Sequence, residues 1–382
     1  MRVNNPSQAH LREIFDNLDK NIKENNHLVW TKYLDLGTHV VRLINYSNEF
    51  TPHVEKQLSY VLKNNSDKYD ATIVIWKENE LNKLPQKLSN EYNPRNNLRL
   101  RIEMLASKRN VIDLQIFDKN YSNHNPILSF DHYQGIFNGY NENNNTYYYG
   151  VKNLEPEEFI KQGHIFVQIL NKILKTQNTN LVHGALVGLN NEGILFCARG
   201  QRGKSTLAVL SMMKGFEYVS DDYLILEKEG DKLYSHPIYS IITLSPRMYN
   251  ELYNDIKGKF VSNNARKDKY VINISEYHDI FRKKYPISVC MFPEIVNDSK
   301  PSIIPCTKGR AITQLVHSTI NQMGDKHDIK TIQKLINMVK DFEFYQINLC
   351  ADINANVECL REFTMKLNKQ KKESLNDKLC VK

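Results

Sequence analysis

Three groups of residues have types and spacing suited to chemistry. The first runs Ala198-Arg199-Gly200-Gln201-Arg202-Gly203-Lys204-Ser205-Thr206. The pattern G-x-x-x-x-G-K-[ST] cradles phosphate oxygens with backbone N–H groups, reaches the β- and γ-phosphates with its lysine and offers a hydroxyl to magnesium. The closing Gly203-Lys204-Ser205 is intact, while Ala198 replaces the first glycine and Gly200 supplies backbone freedom two residues later. Gly200, Gln201, Arg202, Gly203, Lys204, Ser205 and Thr206 are the expected nucleotide-binding residues. Arg199 and Arg202 are either extra charge beside the phosphates or solvated loop arginines.

The second group is Asp221-Asp222, whose first residue follows Lys204 by 17 positions. Adjacent residues on a strand point to opposite faces, so both serve one site only if the strand ends there. One carboxylate facing the phosphates would hold magnesium, and the other would take a proton from an attacking hydroxyl. Asp221 with Ser205 is the candidate metal pair and Asp222 the candidate base, and residue order does not decide which aspartate takes which role. Taken alone, Ser-Asp-Asp also reads as a surface turn; the phosphate loop nearby favours the chemical reading. The third group is His183, in LVHGALV, 21 residues before Lys204. A histidine among apolar residues is ordinarily a hydrogen-bonded core residue, but the following Gly184 signals close backbone approach. His183, Lys204 and Asp222 are the candidate catalytic residues.

These groups need elements to hold them. EPEEFIKQGHIFVQILNKILK has apolar residues at helical spacing, with acids first and lysine last, and predicts a helix. LVHGALVGL and GILFCA, split by the turn Asn190-Asn191-Glu192-Gly193, read as two buried strands. A helix is expected from about Lys204, with a stop at Lys214-Gly215. FEYVSDDYLILEK follows as a strand pair or one long strand. A strand running into the loop and a helix leaving it make the layout of a nucleotide-binding α/β unit. Upstream, ATIVIW, LRLRIEML and NVIDLQIF are strand-like, and GYNENNN is a turn.

The chain has 382 residues, enough for two or three domains. Residues 1–150 are expected to form a strand-rich, mixed α/β domain with a role in acceptor recognition, 151–367 a kinase domain, and 368–382 a polar, basic tail. Hydrophobic residues are 41% and charged residues 25%, which excludes a disordered or fibrous chain. Lys plus Arg is 51 against 43 Asp plus Glu, so the net charge is +8. That suits a phosphorylated ligand and is too weak to argue for nucleic acid. The six cysteines form no C-x-x-C pair and no zinc-spaced cluster, so reduced thiols in the cytoplasm are expected. The first residues carry no apolar secretory core, and no run reaches the length of a membrane span.

His183-Gly184, a strand, Gly203-Lys204-Ser205-Thr206, Gly215-Phe216 and Ser220-Asp221-Asp222-Tyr223 together resemble the HPr kinase/phosphorylase family. They are most similar to the HPr-kinase-like tailoring kinases of bacterial natural-product and peptide-modification clusters. The resemblance is strong over about residues 160–230 and weaker through Met291-Phe292-Pro293 and FEFYQINL. It implies an α/β phosphate-loop (P-loop) kinase core related to phosphoenolpyruvate carboxykinase, using ATP and Mg2+. It implies that Lys204 grips the β/γ-phosphates, Ser205 binds magnesium, Asp221 and Asp222 divide metal ligation and base catalysis, and His183 lies near the transferring phosphoryl. Ala198 and Gln201 stand where the family often has glycine. The Gly-rich loop with which true HPr kinases engage HPr has no counterpart downstream, so the resemblance does not extend to HPr as acceptor.

The resulting expectation is transfer of the γ-phosphate of ATP to an alcohol. The acceptor is a small natural product or a peptide serine, in a biosynthetic setting. The alternatives are a regulatory protein Ser/Thr kinase, or a nucleotide-binding regulator without transfer activity. Neither nucleic acid nor membrane is expected as a partner, and oligomeric state is open. Arg247, Arg266 and Lys269 are further basic candidates for holding phosphate or acceptor, and spacing does not choose among them.

Overall fold

The computed structural model describes residues 6–77, 98–104, 112–118, 128–131, 136–151, 164–198, 200, 202–256, 270–274, 281–323 and 329–380. It is a mixed α/β protein that divides into two compact units. The first comprises Met1–Asp35, His39–Lys56 and Leu62–Ile169, and the second Leu36–Thr38, Gln57–Val61 and Leu170–Lys382. Among the described residues no helix is long and apolar enough to cross a membrane.

The first unit is built on one nine-stranded sheet. Its strands are β1 (Trp30–Asp35), β2 (Val40–Asn45), β3 (Leu62–Lys63), β4 (Ala71–Lys77), β5 (Leu98–Met104), β6 (Ile112–Asp118), β7 (Leu128–Asp131), β8 (Ile136–Asn141) and β9 (Thr146–Val151). Their spatial order is β3-β1-β2-β4-β9-β8-β7-β6-β5. The β2–β4 and β4–β9 pairs are parallel and the others antiparallel. Central β4, ATIVIWK, is apolar almost throughout, as befits a strand covered on both faces. The Asn-rich segment forms the turn between β8 and β9, with Asn145 at φ 49°. Helices α1 (Pro6–Asn25) and α2 (Thr51–Leu58) accompany this sheet.

The second unit contains α3 (Val167–Ile173), β10 (Thr179–His183), β11 (Ala185–Leu189), β12 (Glu192–Phe196), α4 (Lys204–Met213), β13 (Glu217–Ser220), β14 (Tyr223–Glu229) and β15 (Lys232–Pro237). The first residues of α3 fall in the first unit. Next come β16 (Ile241–Leu244), α5 (Pro246–Ile256), β17 (Tyr270–Asn273), β18 (Tyr285–Ile295) and β19 (Ser302–Pro305). The chain closes with α6 (Lys308–Met323), α7 (Ile329–Val339), β20 (Glu343–Leu349) and α8 (Ile353–Cys380). The main path is β10-β14-β15-β18-β12-β11-β13, and β20 joins β18. The β12–β18 and β18–β20 pairs are parallel. Alternate residues of β12 serve opposite faces. Ile194 and Phe196 pack with Leu207 of α4 and Leu360 of α8, while Leu195 packs with Leu315 of α6 and Leu335 of α7. The strand that leads toward Gly203-Lys204-Ser205 is thereby buried on both faces and fixed in position.

Two expectations need correction. LVHGALVGL is two strands, not one: β10 pairs β14, whereas β11 pairs β12 and β13. The break falls at Gly184, where a Cβ would lie 2.8 Å from the Phe196 carbonyl oxygen. The expected helix through Phe166 begins only at Val167, because Phe166 sits at φ 60°. A left-handed residue cannot continue a right-handed helix. The part of that helix expected over 155–163 lies outside the described residues.

Candidate active site

β12 enters the loop and α4 leaves it, as the pattern requires. The Cys197 N–H donates to the Met291 carbonyl at 3.0 Å, so the parallel pairing with β18 continues to the loop's first residues. Gly203 is the N-cap of α4 at φ 89° and offers no side-chain cap. A Cβ there would meet Leu349 Cδ1 at 2.7 Å. Glycine therefore answers both the backbone twist and the space. It leaves the first N–H groups of a ten-residue helix to be satisfied by something other than a cap, and an anion fits that end.

Lys204 is buried, and its Nζ donates to the Ala198 carbonyl at 2.9 Å. Ser205 and Thr206 are half-buried on the first turn. Gly200 has open space where a Cβ would stand. Arg202 is exposed, and its Nη1 donates to Glu294 Oε1 at 3.1 Å. Arg310 also reaches Glu294, at 3.6 Å. Neither Glu294 nor Arg310 carried a signal in the sequence; β18 brings the carboxylate to the loop. Arg199 and Gln201 lie outside the described residues.

β13 ends at Ser220, so the two aspartates do not alternate on a strand. The Tyr223 N–H donates to the Asp221 carbonyl at 2.8 Å around Asp222 at φ 62°. That is a γ-turn of the rare, strained hand. Ser220 Oγ donates to the Tyr223 carbonyl at 2.6 Å and closes the turn from below.

Asp221 is 1% exposed. Burial first, and the Asp222 charge second, push its carboxyl up to about 7; Ser205 and Lys204 pull the other way. Yet neither carboxylate oxygen completes a hydrogen bond of ordinary length and angle. Buried carboxylate oxygens without donors are costly and want a cation. Asp222 is half-buried, and its Oδ2 accepts from Thr243 Oγ1 on β16 at 3.2 Å. Buried Tyr218 has its hydroxyl pushed well upward by burial, then by Asp221 and Asp222. Thr243 and Tyr218 were not singled out in the sequence, where an isolated Thr or Tyr on a buried strand has no distinguishing mark.

His183 ends β10 opposite Tyr223, with ring centroids 5.4 Å apart. Its backbone N–H donates to Thr319 Oγ1 of α6 at 3.4 Å. The adjoining Gly184 N–H donates to the Asp222 carbonyl at 3.1 Å. Strand pairing thus ties the histidine strand to the aspartate turn. Arg247 is exposed and ion-paired to Glu251 one turn along α5 at 2.9 Å, so these contacts do not join it to the site. Arg266 and Lys269 lie outside the described residues.

Among the described residues no group of three or more His, Cys, Asp or Glu forms a metal cluster. Asp221 with the Ser205 hydroxyl nonetheless fits magnesium, which usually takes one or two protein ligands and completes its shell with phosphate and water. The unsatisfied Asp221 oxygens are the observation behind that fit.

No family model and no curated protein matches the sequence. Among solved structures, the HPr(Ser) kinase/phosphatase from Coxiella burnetii is similar over 51% of this chain and 99% of its own, at 13% identity and a TM-score of 0.30. The site rests on the geometry described above.

Proposed function

We propose that this chain is an ATP- and magnesium-dependent phosphotransferase with an HPr-kinase-like core and an alcohol as acceptor. The observation that carries this reading is Asp221. Its fully buried, donor-poor carboxylate lies close enough to Ser205 and Lys204 of the phosphate loop to feel both. In this reading the α4 N-terminus and Lys204 bind the β- and γ-phosphates. Asp221 and Ser205 hold magnesium, which when bound neutralises charge on the transferring oxygens. Asp222, oriented by Thr243, accepts the acceptor's hydroxyl proton. The acceptor oxygen forms its bond to the γ-phosphorus as the bond to the β,γ-bridging oxygen breaks, and ADP leaves. His183, held between Tyr223 and the aspartate turn, faces the transferring group. The acceptor in this reading is a natural-product hydroxyl or a peptide serine, in a biosynthetic pathway.

The test is γ-labelled ATP with magnesium, the purified chain and an extract of the source cells, separated into polypeptide and small-molecule fractions. Label in either fraction that disappears with Lys204→Ala supports transfer and identifies the acceptor class. An ATP-induced thermal shift that survives Lys204→Ala would place the nucleotide elsewhere and sink the reading.

A further inference from the structure

The first unit has a cavity of its own, lined by both polar and aliphatic side chains. Period-2 alternation puts Arg42 and Ile44 of β2, Thr72 and Val74 of β4, and Thr146 and Tyr148 of β9 on one sheet face. Helix α1 covers part of that face: Phe15 stacks on Tyr148 with centroids 5.4 Å apart, and Tyr148 Oη donates to Asp19 at 2.9 Å. Beside this contact remains a cavity of about 140 Å³ whose lining includes Asp19, Lys23, Arg42, Thr72 and Thr146 together with aliphatic side chains such as Val74. Its volume is well below the roughly 300–1,000 Å³ of a drug-sized or cofactor pocket, so a nucleotide does not fit.

Arg42 distinguishes the cavity. Its Nε donates to Thr72 Oγ1 at 3.2 Å, and its guanidinium lies over the Tyr69 ring at 4.2 Å. Neighbouring lysines of this unit have acids: Lys32 pairs with Glu55, Lys63 with Asp35, Lys77 with Glu49 and Lys23 with Asp19. Among the described residues Arg42 has none. Asp19 is already engaged by Tyr148 and Lys23. Two cations against one carboxylate leave the lining with one net positive charge. A guanidinium held by a hydroxyl and an aromatic face, with no partner for its two terminal nitrogens among the described residues, is arranged for a planar or tetrahedral oxyanion.

We propose that this cavity binds the oxyanion group of a small ligand, a phosphate or a carboxylate, with Arg42 as its principal donor. The proposal does not depend on the phosphotransferase reading. Because the phosphate loop also takes phosphate, the test uses the full chain carrying Lys204→Ala. Inorganic phosphate and malonate are titrated separately by calorimetry at low salt. Binding of either is expected, weakened at least about tenfold by Arg42→Gln and not restored by Arg42→Lys, which keeps charge but loses the fork. The stronger of the two probes identifies the source. In parallel, the Arg42 side-chain Nε–H resonance is expected to move on titration, a readout independent of whether Arg42→Gln folds. No binding of either probe, or binding with a stationary Arg42 resonance, overturns the proposal.

Discussion

Lys204 Nζ donates to the Ala198 carbonyl at 2.9 Å, so the lysine at the start of α4 closes the preceding loop on that loop's own first residue. The acceptor is backbone, and the methyl group of Ala198 takes no part. Replacing that alanine with the more usual glycine is therefore expected to change ATP affinity by less than about threefold, since the carbonyl is kept. Lys204→Ala is expected to lower kcat by at least ~100-fold, as for loss of a principal donor to developing charge. Steady-state kinetics of the two variants side by side would check this.

Asp221 and Asp222 differ in burial and partners, and their variants are expected to fail differently. Asp221→Asn should weaken the magnesium requirement's midpoint by about tenfold or more, because it removes the charge facing the loop. Asp222→Asn should leave nucleotide binding intact and lower kcat by roughly 10²–10⁴-fold, the usual worth of a positioned base. Magnesium titrations at fixed ATP separate the two effects. Equal magnesium midpoints in both variants would refute the division.

Thr243 Oγ1 donates to Asp222 Oδ2 at 3.2 Å. It acts as a positioning residue. Thr243→Val is expected to lower kcat about tenfold with KM for ATP unchanged, and Thr243→Ser to recover most of it. In combination with Asp222→Asn the Thr243→Val loss should vanish, since both act through one carboxylate.

The apo protein should lose stability as pH rises. Asp221 has its carboxyl raised to about 7 in the folded state. Between the ordinary carboxylate pKa near ~4 and this value the folded state binds more protons than the unfolded state. Its stabilising contribution is therefore present at low pH and lost as pH rises toward 7. Asp221→Asn should flatten that slope and raise the apo melting temperature at pH 8, by on the order of 3 °C or more. Magnesium nucleotide binding should release a proton over the same window. Melting curves from pH 5 to pH 8, with and without the variant, test the sign.

Gly184→Ala should be costly at a position with no catalytic group. Its Cβ would stand 2.8 Å from the Phe196 carbonyl, part of the strand that enters the loop. The expected destabilisation is about 1–3 kcal/mol, as for overpacking. Because the Gly184 N–H also holds the Asp222 carbonyl, kcat should fall beyond what stability alone explains. A variant that is stable and fully active would show the contact to be incidental.

The local parts of the site were legible from residue order alone. Gly203-Lys204-Ser205 announced a glycine-capped helix start, and Lys214-Gly215 its end. The latter is realised by Phe216 N–H to Ser211 and Gly215 N–H to Met212, each at 3.0 Å, with Gly215 at φ 88°. These signals are short-range: turn chemistry and apolar spacing act within a few residues. The paired aspartates were visible as a motif, but their geometry was not. Only the end of β13 and the γ-turn at Asp222 decide how the two adjacent carboxylates are presented. Sheet order decided the rest. It split LVHGALVGL between two sets of neighbours, carried Thr243 to Asp222, Thr319 to His183 and Glu294 to Arg202, and set Arg42 beside Tyr69 with no acid among the described residues. Residue order specifies which backbone and side-chain chemistry is available. Which distant groups meet depends on strand pairing and burial across the whole sheet, and no local window of the chain contains that information.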